Sequence, residues 1–261
     1  MQNDYNQAYA PYRAPSMDMS VDQGLRSYML GIYNYMALAL VFTGIVAFVV
    51  YSMAVTTDPS AAAARVSGGR VLLTQFGVLL WTSPLKWVIA LAPLGIALFI
   101  SFRINAISTG TAQVLYWIYA ASIGASLSTI FVVYQLGSIA QVFFMTAAAF
   151  GALSLWGYTT KRDISGWSAF LFMGVIGILI ASIVNIFIGS SALSFAISVI
   201  TILIFAGLTA WDTQRLKSEY YEMASYGGDA VAKSSIMGAL SLYINFIMMF
   251  QAMLSLFGNR E

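Results

Sequence analysis

The sequence predicts an all-α integral membrane protein of seven transmembrane helices. Of its 261 residues, 60% are hydrophobic and only 8% are charged, and the mean hydropathy is +0.81. A water-facing domain carries roughly 25% charged residues, so this chain cannot cover itself with polar surface. Its apolar residues also gather in runs of about 20, the length that crosses a bilayer as a helix.

The runs fall at residues 29–55, 86–102, 112–134, 139–158, 168–188, 192–211 and 236–257. A polar segment rich in Tyr, Asn and Gln precedes the first and lacks the basic-then-apolar order of a signal peptide. Residues 1–25 are therefore expected to be a disordered tail, and 26–261 one seven-helix domain. The connection 56–85 is long and contains one apolar run, 71–81, which is too short to cross and is ended by Pro84. That run is expected to be interfacial or re-entrant. The sixth run ends at Trp211, although its helix has the option of running on past Asp212. Small residues at helical spacing, Gly124 with Ser128 and Gly177 with Ala181, mark faces where helices approach closely in lipid.

The twelve Lys and Arg residues divide unevenly between the two faces. Arg13, Arg26, Arg103, Lys161, Arg162, Arg215, Lys217 and Lys233 fall on the N-terminal side, and Arg65, Arg70, Lys86 and Arg260 on the other. By the positive-inside rule the N-terminus is expected in the cytoplasm, and an odd number of spans puts the C-terminus outside.

Missing residue types exclude much chemistry. The chain has no cysteine and no histidine, which removes disulfides, thiolate and imidazole metal sites, and the histidine a rhomboid-like protease requires. The last run, 236–257, has no lysine to form a retinal Schiff base, and only Asp212 lies near a span, one short of an intramembrane aspartyl protease. No enzymatic activity and no cofactor is expected, and no basic stripe suggests nucleic acid.

Polar groups within hydrocarbon are costly and are functional candidates for that reason. Asp212 closes the sixth apolar run at the N-terminal face; its alternative is a solvated helix-end carboxylate paired with Arg215 three residues on. Asn245 lies about 13 Å into the last span, among apolar neighbours, and must find hydrogen-bond partners within the bundle. Asn185, near the end of the fifth span, reads best as a packing residue. Arg103 ends the second span on the same side as Asp212, either as a snorkelling anchor or as a counter-charge to it. In the turn after the fourth span, Asp163 or Ser165 can cap the next helix.

The string Ala149-Phe150-Gly151-Ala152-Leu153-Ser154-Leu155-Trp156-Gly157-Tyr158-Thr159-Thr160-Lys161-Arg162-Asp163-Ile164-Ser165 resembles the signature of the Bax inhibitor-1, or transmembrane Bax-inhibitor-motif, family. Further matches are residues 101–105, Gly207-Leu208-Thr209-Ala210-Trp211-Asp212-Thr213-Gln214-Arg215 and Gly238-Ala239-Leu240-Ser241-Leu242-Tyr243, so the likeness runs from about Pro93 to the C-terminus. The resemblance implies six helices surrounding a central seventh, a bacterial inner-membrane location, and a calcium leak that responds to pH. It further implies two proton-sharing aspartates on the sixth and seventh helices. Asp212 matches the first of them, but Asn245 stands where the second would be. An amide does not titrate, so the like-charge repulsion that couples two carboxylates is absent and the acid gate is weakened.

Two functions follow. One is a membrane ion leak channel permeable to Ca2+, with Asp212, Asn245 and Arg103 as pore or pH-sensing residues and Asp212 as an oxygen ligand. The other is a regulatory protein that binds a membrane protease or a cell-death or stress factor and conducts nothing. Because the chain has no cysteine, topology is testable with single additions. A cysteine at Asn3 should resist a membrane-impermeant thiol reagent applied outside intact cells, and one at Ser67 should react; the opposite pattern reverses the orientation.

Overall fold

The structure, a computed structural model, describes residues 16–66, 71–223 and 228–260; Asn3 and Ser67 lie outside these. Helix α1 (Ser16–Ala54) begins well before the expected first span and takes residues 16–25 of the expected tail with it. Leu25, Tyr28 and Met29 are buried in the bundle core. Tertiary packing thus extends a helix into sequence too polar to signal one.

The long connection folds onto the end of α1. Strands β1 (Val55–Thr56), β2 (Ala64–Val66) and β3 (Val71–Leu73) pair antiparallel in the order β1-β3-β2. Helix α2 (Gln75–Trp81) follows, and Thr74 caps it by accepting from the Gly77 N–H at 3.1 Å. The Thr74 hydroxyl donates in turn to the Met53 carbonyl at 2.8 Å. Residues 71–81 are therefore not one segment: their first three residues satisfy their backbone groups as the middle strand of a sheet, and only the rest is helical. Gly77 lies directly against the Ala54 backbone, where a side chain has no room.

Helices α3 (Leu85–Arg103), α4 (Thr109–Leu127), α5 (Ile130–Val133), α6 (Leu136–Thr159), α7 (Ser168–Ile188), α8 (Ser191–Met223) and α9 (Gly228–Phe257) complete the fold. The run 112–134, expected as one span, breaks after α4, where Ser128 turns its hydroxyl back to the Ala125 carbonyl at 2.7 Å. Among the described residues seven helical stretches are long and apolar enough to cross a membrane, those of α1, α3, α4 with α5, α6, α7, α8 and α9. The chain is an integral membrane protein.

Helix α9 is the axis. Within its most apolar stretch 61% of residues are buried, against 11% for α3 and for the stretch containing α7. It packs on α1, α4, α6 and α8, while α3 leans on α4 and α7 on α8. Six helices thus surround a seventh, four of them in direct contact and two as outer flanks. At its start Asp229 accepts a hydrogen bond from Thr109, the first residue of α4. At its end Asn259 bonds Gln135 and Ser138, at the opposite end of the bundle, where α6 begins. The seventh helix therefore runs the full length of the bundle.

Small residues set the closest helix contacts, though not all of the expected ones. Gly124 presses on the backbone of Thr43 in α1, as its spacing predicts. Gly177 instead faces open space, and the α7–α8 contact is made by Gly174 against Ile204 and Gly207 against Leu171. Gly157 of α6 sits against the Ala210 backbone of α8, and a Cβ there would overlap the Ala210 carbonyl. Gly157→Ala should destabilise the protein by about 1–3 kcal/mol, the usual cost of overpacking. Gly151→Ala, on the same helix with nothing within 4 Å of its Cβ position, should leave thermal stability in detergent unchanged.

Candidate functional site: a buried carboxylate between the sixth and seventh spans

Helix α8 continues three turns beyond Asp212, so Asp212, Arg215 and Glu219 lie along one of its faces. Asp212 and Asn245 are each 4% exposed. The Asn245 Nδ2 donates to Asp212 Oδ2 at 2.7 Å, and the Arg215 Nη2 reaches Asp212 Oδ1 at 2.7 Å. Both carboxylate oxygens accept, the arrangement of an ionised acid held by one cation and one amide.

Arg215 is itself held on several sides. Its guanidinium lies 4.8 Å over the Trp211 ring, and Nη2 donates to Ser241 Oγ at 3.5 Å. Its Nε is 3.3 Å from Glu219 Oε1 but not aligned for a hydrogen bond, so that contact is purely ionic. The chain continues from Glu219 Oε2 to Ser234 Oγ at 3.4 Å and from Ser234 to the Tyr28 hydroxyl at 2.7 Å. Tyr33 of α1 meets Thr213 at 3.4 Å. The network thus links α8, α9 and α1. On the N-terminal face it opens into a cavity of about 530 Å³ that includes Glu219, Glu222, Asp229, Lys233 and Asn105.

The residue after Thr213 does a separate job. Gln214 accepts from the Ile164 N–H at 2.9 Å and donates to the Arg162 carbonyl at 2.8 Å, fastening the turn between α6 and α7. Lys217 adds a bond to the Tyr158 carbonyl at 3.2 Å. Within that turn Asp163 accepts from the Ser165 N–H at 2.9 Å. The backbone and side chain of Ser165 hold the Asp163 carboxyl below the usual carboxylate range, so the cap persists at neutral pH and is lost only as pH falls below that depressed value. The two strings singled out in the sequence therefore dock on each other.

Asp212 and Asn245 are brought together, but Arg103 is not brought to them. Arg103 is exposed at the end of α3 and makes no ion pair among the described residues. The counter-charge is Arg215, and Asp212 is buried rather than solvated. Asn185 has the packing role: it donates to Ser194 Oγ at 2.6 Å and accepts from the Ser190 N–H at 3.1 Å across the α7–α8 turn. A span that ends at Trp211 leaves out the polar stripe Asp212, Arg215 and Glu219. The signal was available, because positions 212, 215 and 219 share a face once the helix is continued. Among the described residues no three acidic side chains converge as a metal cluster, and Arg215 occupies the Asp212 oxygen nearest to it. Coordination of a cation by Asp212 therefore requires Arg215 to move away.

A seven-helix membrane protein with a buried axial helix and a carboxylate–guanidinium–amide site at one end is the class that fold and site define. Residues 25–261 match the family described as Inhibitor of apoptosis-promoting Bax1, and the chain belongs to that Bax inhibitor family. It is 49% identical to a protein of Caulobacter vibrioides, over 99% of this chain and 100% of the relative. It is 44% identical to RP147 of Rickettsia prowazekii, over 94% and 95%. It is also 38% identical to Inner membrane protein YbhL of Escherichia coli K12, over 95% of this chain and 99% of that one.

Removing one partner of a buried pair leaves the other charge uncompensated, at a cost of about 3–5 kcal/mol when both are buried. Arg215 is a third exposed, so Arg215→Gln should cost less than that while still lowering the melting temperature clearly. Arg103→Gln should leave it unchanged, and adding Asp212→Asn to Arg215→Gln should recover part of the loss.

Proposed function

We propose that the protein is an ion leak channel of the inner membrane, permeable to Ca2+, whose gate is the Asp212–Arg215–Asn245 contact between α8 and α9. The single observation carrying this reading is a buried carboxylate tied to the axial helix by an amide hydrogen bond of 2.7 Å and linked through Arg215 to Glu219, which lines an acidic cavity. The Lys and Arg distribution supports a cytoplasmic N-terminal face, and the name of the Escherichia coli relative supports the inner membrane. Glu219, Glu222 and Asp229 offer the hard oxygen atoms that Ca2+ prefers. A permeant ion reaching Asp212 displaces Arg215 from Oδ1 and leaves the Asn245 bond as the carboxylate's tie to α9.

Asn245 sets the pH behaviour. Where two carboxylates share one proton, their contact depends on that proton. Here an amide N–H stands in its place and stays at every physiological pH. The groups around Asp212 are Arg215 and, beyond it, Glu219 on α8, and Asn245 on α9, while Ser241 of α9 touches Arg215. Only Glu219 among them is a second carboxylate, and Arg215 stands between it and Asp212.

Purified protein in liposomes should release Ca2+ above empty vesicles, and Asp212→Ala should change that flux. The native flux should be nearly flat between about pH 6 and 8, since the two groups bonded to Asp212, an amide and a guanidinium, do not titrate in that range. Asn245→Asp should make it pH-dependent in the same range. Absence of flux sinks the channel reading, whereas a steep native response unchanged by Asn245→Asp sinks the role given to this pair and leaves conduction standing.

A further inference from the structure

A second cavity, of about 760 Å³, opens sideways between α1 and α6. Its walls are apolar over most of their length, with Met36 and Phe150 at the inner end and Arg26 and Tyr158 at the N-terminal face. Arg26 and Met36 are ten residues apart on one helix, so the crevice runs about 15 Å along the membrane normal, half the ~30 Å hydrocarbon core. Arg26 is exposed and makes no ion pair among the described residues, and no carboxylate lines the crevice.

One polar group in the wall is unaccounted for. Thr146, Thr159, Ser198, Thr201 and Thr209 each turn their hydroxyl to the carbonyl four residues earlier, as hydroxyls in membrane helices do. Ser154 does not: it is 5% exposed, lines the crevice, and its Oγ has no hydrogen-bond partner. A buried hydroxyl without a partner costs about 1–3 kcal/mol. Ser154 lies one turn below Tyr158, about 6 Å deeper. Beside it on the same helix the wall is relieved by Gly151, whose Cβ position has nothing within 4 Å.

We propose that this crevice binds one anionic phospholipid, with the phosphate on Arg26, a glycerol ester carbonyl accepting from Ser154, and an acyl chain lying between α1 and α6. Charge, depth and shape agree. A lone cation at the headgroup level selects a net anionic head. The unpaired donor lies a few ångströms below it, where the ester groups of such a lipid fall. An apolar slot continues from there toward the bilayer centre. Basic crevices between helices at the membrane surface are suited to such headgroups. Binding at this site does not depend on ion conduction.

The test is native mass spectrometry of the full chain in detergent with added phosphatidylglycerol, phosphatidylethanolamine or oleate. Phosphatidylglycerol should be retained in preference to phosphatidylethanolamine. Arg26→Gln should weaken its retention by about tenfold and remove the preference, as expected for loss of a charge-assisted bond. Gly151→Leu, whose Cβ has nothing within 4 Å and whose side chain takes up space in the slot, should weaken both phospholipids. Ser154→Ala should weaken both less, and this mild change keeps the test decisive if the leucine variant fails to fold. Equal retention by Arg26→Gln, equal binding of both phospholipids to the native chain, or displacement of phosphatidylglycerol by oleate would overturn the proposal.

Discussion

A single negative charge placed out of reach of water governs this structure. An isolated carboxylate within a bilayer costs several kcal/mol, so Asp212 constrains everything around it. It needs a cation, and Arg215 supplies one from the next turn of the same helix. It needs a second donor for its other oxygen, and Asn245 supplies that from the axial helix. Arg215 in turn draws in Trp211, Ser241 and Glu219. These requirements hold α8 and α9 in one register, alongside the van der Waals packing that drives helix association in lipid.

The axial position of α9 is the complement of that constraint. A helix surrounded by protein can carry Asn245, Tyr243 and Ser241 at depth because its neighbours satisfy them. Tyr243 bonds Thr43 of α1 at 2.7 Å, and Thr43 donates to the Ala120 carbonyl of α4 at 3.0 Å. The flanking helices show the reverse. Phe170, Met173, Ile176 and Phe187 on α7 are exposed on the protein surface, an energetic fault in water and the required surface in hydrocarbon.

Proximity across the bundle explains why the two most distinctive strings of the chain matter together. Gly157 lets α6 reach α8, and Gln214 of α8 closes the α6–α7 turn through Ile164 and Arg162. The carboxylate site is thus built on a helix anchored at its back by a backbone contact and at its front by an amide clamp.

The sequence by itself determined the class and the number of spans, and singled out Asp212 and Asn245 as polar residues at or within apolar runs. Apolar run length is a direct consequence of bilayer thickness, and a polar residue within such a run is legible because hydrocarbon tolerates few of them. Only the tertiary structure decided the partners. Arg103 and Arg215 are both cations near one membrane face, and nothing in composition separates them; the packing of α8 on α9 does, leaving Arg103 outside. The same holds for the part of α1 around Leu25 and Tyr28 and for the strand in residues 71–73, whose stability comes from burial against distant segments and from strand pairing. Local sequence reports the solvent each residue expects, whereas neighbours separated by tens of residues are fixed only when the helices close around their axis.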